Sequence, residues 1–272
     1  MKTLFIVLAV VLGIFLIAGG VLYSTYFSTG PLAKLVIDSG NAQYKSSDSW
    51  LNANNGMTLK EGYSVKTLEN SQAKIIFSDS VMRLDANTEI AINNLNKDSI
   101  SISQAIGKTW TKLLKISGIS SYEISTPDAI ATVRGTAFAV EIGNGTRIMV
   151  ANGTVEAGIQ GTGIKKLIEA NKETKISKND SDISDFDVVD DDWFIKNKEL
   201  DRQHLIELRE KFIKKYGYLT DYAKRAQNLT DEQINNFVDD WLQGKYSIKK
   251  AIENGEIPPA AAKMMPPELK RY

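Results

Sequence analysis

Between Leu32 and Ile176 the chain is a succession of short β-branched and apolar runs, each bounded by Gly, Asn, Asp or Ser. Ala73–Phe77, Val81–Leu84, Glu89–Ile92, Ser99–Ala105, Tyr122–Thr126, Ala137–Ile142, Arg147–Ala151 and Thr154–Ile159 are the clearest of them. Runs of this length and spacing are strands of an all-β domain, and few offer the i, i+3, i+4 stripe of a helix. Asn55-Gly56, Asn144-Gly145 and Asn152-Gly153 supply residues that tolerate the positive φ of tight hairpin turns. A sandwich, a roll and a β-solenoid all satisfy this pattern, although no fixed-length repeat is evident.

Ahead of the strands, Leu4 to Tyr23 carries no charge. A helix of that length spans about 30 Å, the thickness of bilayer hydrocarbon. Secretory signals have a shorter apolar part, about 7–15 residues, so the run is read as an uncleaved anchor. Lys2 precedes it and no basic residue follows until Lys34, which keeps the amino terminus in the cytoplasm. The expected location is the cytoplasmic membrane, single-pass, with the bulk of the chain extracytoplasmic. The expected organisation is a stub at 1–3, a transmembrane signal anchor at 4–23, a juxtamembrane linker at 24–31, a β-domain at 32–178, an acidic linker at 179–191 and a helical tail at 192–272.

Composition narrows the chemistry. The 272 residues include 33 basic and 33 acidic side chains. No net field gathers phosphate, and nucleic acid is not an expected partner. There is no cysteine and a single histidine, His204, which removes thiolate chemistry and most acid–base and zinc constellations.

The tail changes period. Leu200, His204, Leu205, Leu208, Phe212 and Tyr216 line one face of a helix expected from Asp192 to Tyr216, with Gly217 as its stop. Thr230 and Gln233 form a capping box before Ile234, Phe237, Val238, Trp241 and Leu242, and Gly244 follows. Ser247–Asn254 reads as a shorter helical piece before two proline pairs. Such a stripe is buried either within the tail or by a partner, and Ile234, Phe237 and Trp241 are the partner-facing candidates.

Arg134-Gly135-Thr136 interrupts a strand pattern. Ala131 and Val133 place apolar groups on odd positions, and Phe138, Val140 and Ile142 on even ones. A β-bulge at Gly135 produces that change of face, with Arg134 expected to pair with a carboxylate or carbonyl near the bend. A phosphate cradle needs a glycine loop opening a helix, and strand-like residues continue here instead.

Thr126-Pro127, Val133-Arg134-Gly135-Thr136 with Phe138 and Val140, and Gly153-Thr154-Val155 together resemble the signature of the FecR-like domain, the extracytoplasmic domain of ferric-citrate-type regulators. Trp50, Gly56, Leu59, the Glu61–Thr67 run, Arg83-Leu84, Gly107 and Trp110 agree with it, over about Lys34 to Lys178. The resemblance implies an all-β, solenoid-like domain without catalytic residues, outside a single membrane span. In iron-signalling members a cytoplasmic anti-sigma segment precedes the span. Here Met1-Lys2-Thr3 stand before it, so sigma-factor control by that route is not expected.

Other candidates carry less. The aspartates from Asp180 to Asp192 lack the glycine that an EF-hand places sixth, and read as a solvated linker. Asn144, Asn152, Asn179 and Asn228 each begin Asn-X-Ser/Thr and are candidate glycan acceptors outside the cytoplasm. No cofactor, metal ligand or small-molecule substrate is predicted.

The sequence therefore predicts a mainly β fold, an irregular solenoid or roll, with an N-terminal transmembrane helix and a C-terminal helical appendage. Its expected function is a non-enzymatic, membrane-anchored module that binds another envelope protein. The alternatives are a carbohydrate-binding or adhesion domain using Trp50 or Trp110, and a metal-assisted hydrolase using converging aspartates.

Overall fold

The computed structural model describes residues 33–189, 191–267 and 269–271. The predicted stub, span and juxtamembrane linker lie outside them. No helix among the described residues is long and apolar enough to cross a membrane.

Among the described residues, seventeen strands form one hydrogen-bonded sheet. In chain order they are β1 Ala33–Ser39, β2 Ala42–Lys45, β3 Leu51–Asn52, β4 Thr58–Leu59, β5 Ser64–Thr67, β6 Gln72–Phe77, β7 Ser80–Leu84, β8 Glu89–Leu95 and β9 Ser99–Lys112. There follow β10 Ser121–Ser125, β11 Ala129–Val133, β12 Ala137–Gly143, β13 Gly145–Asn152, β14 Thr154–Ile159, β15 Lys165–Glu169, β16 Lys172–Ile176 and β17 Asp185–Asp187. The sheet folds into two layers. One runs β4-β1-β6-β7-β9-β12-β13-β16-β17. The other runs β3-β2-β5-β8-β9-β10-β11-β14-β15.

β9 belongs to both layers. Its residues up to Ile106 pair with β8, and Gly107 to Lys112 pair with β12. Gly107, at φ +86°, makes the crossing. A single core fills the space between the layers, with Leu35, Ile75 and Ile148 from one side and Ile102, Ile124 and Val155 from the other. The Tyr122 ring stands edge-on between Phe77 and Phe138, 6.4 Å from each. Alternation is strict where one face meets this core, as in β6, whose residues are alternately half-exposed and buried.

Two expectations need correction here. Of the solenoid or roll expected, the described residues show a folded two-layer sheet and no solenoid. The β6–β7, β12–β13 and β16–β17 hairpins lie in one layer and β8–β9, β10–β11 and β14–β15 in the other, and among the described residues only β9 with β10 pairs in parallel, whereas a coil stacks each turn in parallel on the last. The acidic linker is also only partly solvated. Ile183 is buried in the main core, and Asp185–Asp187 adds an edge strand to β16. Lysines of the neighbouring strands neutralise its ends, Lys166 to Asp185 at 2.5 Å and Lys172 to Asp187 at 2.7 Å.

The tail consists of α1 Asp192–Lys215, α2 Gly217–Gln227, α3 Asp231–Leu242, α4 Ile248–Glu253 and α5 Pro259–Met264. Gly217 opens α2 instead of ending the helical region. The break lies at Tyr216, after which Leu219, Tyr222 and Ala223 give a new i, i+3, i+4 face. The capping box of α3 forms as expected, with Gln233 N–H donating to Thr230 Oγ1 at 3.2 Å and Thr230 N–H to Gln233 Oε1 at 2.9 Å. Ile234, Phe237 and Trp241 turn inward. Trp241 lies 5.1 Å from the Phe212 ring and Phe237 4.7 Å from Tyr246, because neighbouring helices and loops of the tail supply the apolar surface a partner would have given.

Candidate functional site

The arginine-glycine-threonine motif is a corner. β11 lies in one layer and β12 in the other, and residues 134–136 carry the chain between them. The change of inward face read from the sequence is real, but a strand changing layers produces it, in place of the predicted bulge within one strand. Gly135 has φ +67°, and a Cβ there would stand 2.2 Å from Lys115 Cγ. Thr136 is fully buried and its hydroxyl donates to Thr154 O at 3.1 Å, tying the corner to the Gly153-Thr154-Val155 stretch. Val133 and Phe138 are core residues. Thr126 Oγ1 accepts from Ala129 N–H at 2.9 Å and closes the β10–β11 hairpin beside exposed Pro127.

Arg134 departs from its expected role. It is exposed and makes no hydrogen bond or ion pair among the described residues. Instead it lines an open groove of about 430 Å³ with Lys115, Thr132, Thr154, Glu156 and Leu167. Leu167, on β15, is 63% exposed.

The outer face of the layer containing β12 is covered by α1. Trp110, Ala139 and Met149 form an apolar patch on which Phe194 packs. The Trp110 ring is 5.2 Å from Phe194 and 5.9 Å from Trp193, edge-on to both. Seven residues after Phe194, on the same helical face, Asp201 closes the contact. Its Oδ2 accepts from Trp110 Nε1–H at 2.9 Å and its Oδ1 from Arg83 at 2.6 Å. His204 Nε2 lies 2.9 Å from Asp79 O, which makes it a docking residue of the tail.

At the far end of the seam Leu114 joins the core of the tail. Gly244, after α3, approaches so closely that a Cβ would stand 2.4 Å from Lys115 Cβ. The aliphatic stem of Lys115 is thus held between Gly135 of the corner and Gly244 of the tail.

Lys112 lies under this seam. Burial lowers its pKa from the ordinary 10.5, Asp201 opposes that, and Lys245 and Arg83 reinforce it. Because the folded value is depressed, the contribution of Lys112 is fully present above 10.5 and is lost as pH falls through the folded value. The seam therefore holds a lysine whose charged form is poorly solvated. Lys112→Met is expected to strengthen docking by about 1 kcal/mol at pH 7 and to flatten the rise in stability on the alkaline side. Urea unfolding at a series of pH values checks both effects.

The remaining predicted positions fall elsewhere. Asn144 lies in the exposed β12–β13 turn, Asn152 at the end of β13, Asn179 in a turn after β16 and Asn228 at the end of α2. Asp180 accepts from Ser177 N–H, Asp185 and Asp187 meet separate lysines, and Asp191 caps α1 through Phe194 N–H. These carboxylates do not converge, and no group of three metal-ligating side chains occurs among the described residues. Trp110 is fully buried, and Trp50 is half-buried with Lys66 Nζ 4.3 Å and Lys45 Nζ 5.1 Å from its ring. Neither forms the open platform a sugar needs.

With this geometry in view, comparison with known proteins places the β-domain. Residues 63–156 match the family described as FecR protein. The match covers about a third of the chain. It runs from β5 into β14, and it contains Arg83, Gly107, Trp110, the 134–136 corner and Gly153. Asp201 and Gly244, which meet it across the seam, lie outside the FecR match. Two crystal structures of a "putative anti-sigma factor" from Parabacteroides distasonis ATCC 8503, at 1.65 and 2.50 Å resolution, are similar at 16% identity with a TM-score of 0.39. The similarity covers 46% of this chain and 59% of that one. No curated protein matches the chain.

Sequence reasoning had pointed to Arg83, Gly107, Trp110 and the corner, but not to Asp201, Lys112, Lys115 or Gly244 as partners. A faint signal for Asp201 was available, since Phe194, Asn197 and Asp201 share one face of α1.

Proposed function

We propose that the chain is a membrane-anchored, extracytoplasmic FecR-type module that acts by binding another envelope protein, in signalling or as a scaffold, without catalysis. The carrying observation is the FecR match over residues most of whose signature side chains are structural, whereas Arg134 of that signature and Leu167 of β15 face an open groove beside a strand edge. Strand edges and uncovered faces are natural docking surfaces. The uncharged run from Leu4 to Tyr23 supports the anchor.

The test uses the full chain with a carboxy-terminal reporter that is active only outside the cytoplasm, and a photo-crosslinking residue at position 134 or 167. The reading expects an active reporter, carbonate-resistant membrane association and a discrete protein adduct from both positions. A soluble chain, an inactive reporter, or no protein adduct from either position overturns it.

A further inference from the structure

We infer that the helical tail holds a binding site for a small amphiphile: an aromatic or aliphatic body bearing a hydroxyl or ammonium group. The helices of the tail line a half-open cavity of about 200 Å³. Its wall includes Phe212 of α1, Leu219 of α2, Ile234 and Phe237 of α3, Ala261 of α5 and Met265 beyond it. Protein interiors leave few voids larger than a water molecule. An apolar space of about 150 Å³ already stays dry and takes benzene. Water is a poor filler here, because each molecule needs two to four polar partners. A largely apolar guest somewhat larger than benzene satisfies the wall.

The rim sets the polar end of the guest. Glu256 is exposed there, accepting from the Tyr246 hydroxyl at 3.3 Å and from Asn254 Nδ2 at 3.4 Å. Burial and the neighbouring carboxylate both raise the Tyr246 pKa, so the phenol remains a donor to Glu256. A carboxylate with acceptor capacity to spare favours a hydroxyl or ammonium head and repels an acid. The arrangement of an apolar wall with a few placed polar groups is that of small-molecule sites generally.

The experiment titrates the full-length chain, in lipid nanodiscs and with isotope-labelled Ile and Met methyl groups, with 4-ethylphenol and separately with 4-ethylbenzoate. Saturable shifts are expected at Ile234, Ile248 and Met265, with the benzoate binding about tenfold more weakly. Glu256→Gln is expected to bring the two affinities within about threefold. Ala261→Phe fills the space and abolishes the shifts; if that variant does not fold, Ala223→Met fills it from α2 and decides the matter. No saturable shift in the wild-type chain, equal affinity for phenol and benzoate, or undiminished binding in a folded cavity-filled variant overturns the site.

Discussion

Asp201→Ala is expected to weaken the hold of the helical tail on the sheet by about 3–5 kcal/mol, the cost of leaving a buried charge without its partner. The Arg83 and Asp201 side chains are only 13% and 10% exposed, so solvent screening offsets little of the loss. The same carboxylate also accepts the indole N–H of Trp110, which is fully buried and has no water to turn to. Removing it leaves two orphan donors, and places Lys112 beside Arg83 without the one acid that opposed their repulsion.

The consequence is undocking. The start of α1 around Phe194, buried on the sheet in the docked state, becomes the accessible segment, and its cleavage by a dilute protease follows the open population when closing is fast. A loss of about 3 kcal/mol raises that rate by roughly a hundredfold. Asp201→Asn, which keeps an acceptor for Trp110 but not the charge for Arg83, is expected to fall between the two. Arg83→Met combined with Asp201→Leu removes both charges and should recover much of the docking, since a buried pair replaced by apolar groups of similar volume is often neutral or stabilising. A cleavage rate for Asp201→Ala within about threefold of the parent would show that the apolar patch alone holds the tail.

The sequence was most legible where a single periodicity governs. Gln72–Phe77 alternates against one core, and apolar residues at every second position are enough to place it. The reading failed where two elements share a residue's surroundings. Ser99–Ala105 reads as a strand of its own, whereas in the fold Gly107 is where β9 changes layers and continues to Lys112. The 134–136 motif fails in the same way, since a bulge and a corner both reverse which parity faces inward. Trp110 is buried on the outer face under α1, and no local pattern announces that a strand is covered on both sides. Asp201 lies in the charged run Lys198–Arg202, which reads as a solvated helix face until Arg83 and Trp110 are seen across from it. The aspartates at 185 and 187 read as linker because their lysine partners come from different strands.

Gly107→Ala is expected to be the most damaging single substitution in the β-domain, and its comparison with Gly135→Ala separates two reasons for glycine. Both positions have positive φ, +86° and +67°, a strain of about 1–3 kcal/mol for any other residue. At Gly107 the new Cβ would stand 2.5 Å from Thr88 Cα and 2.7 Å from Asn87 O, which are backbone atoms. Thr88 cannot swing away, because its Oγ1 accepts from Lys108 N–H at 2.9 Å and donates to Lys108 O at 3.1 Å. The forced backbone shift adds about 1–3 kcal/mol, and the sum is comparable with the whole stability of a small domain. At Gly135 the obstacle is the flexible stem of Lys115, so the strain remains but the clash is relieved when the lysine moves, at the expense of its contact with Gly244. Gly135→Ala is therefore expected to cost about 1–3 kcal/mol and to loosen the tail, not the sheet. Adding Lys115→Ala to it should remove the clash and leave the φ strain, whereas Thr88→Ala added to Gly107→Ala should recover almost nothing, because the backbone atoms stay where they were. Urea unfolding followed by tryptophan fluorescence distinguishes these outcomes; recovery in the second pair would mean that the threonine side chain, and not the crossing of β9 between layers, demands the glycine.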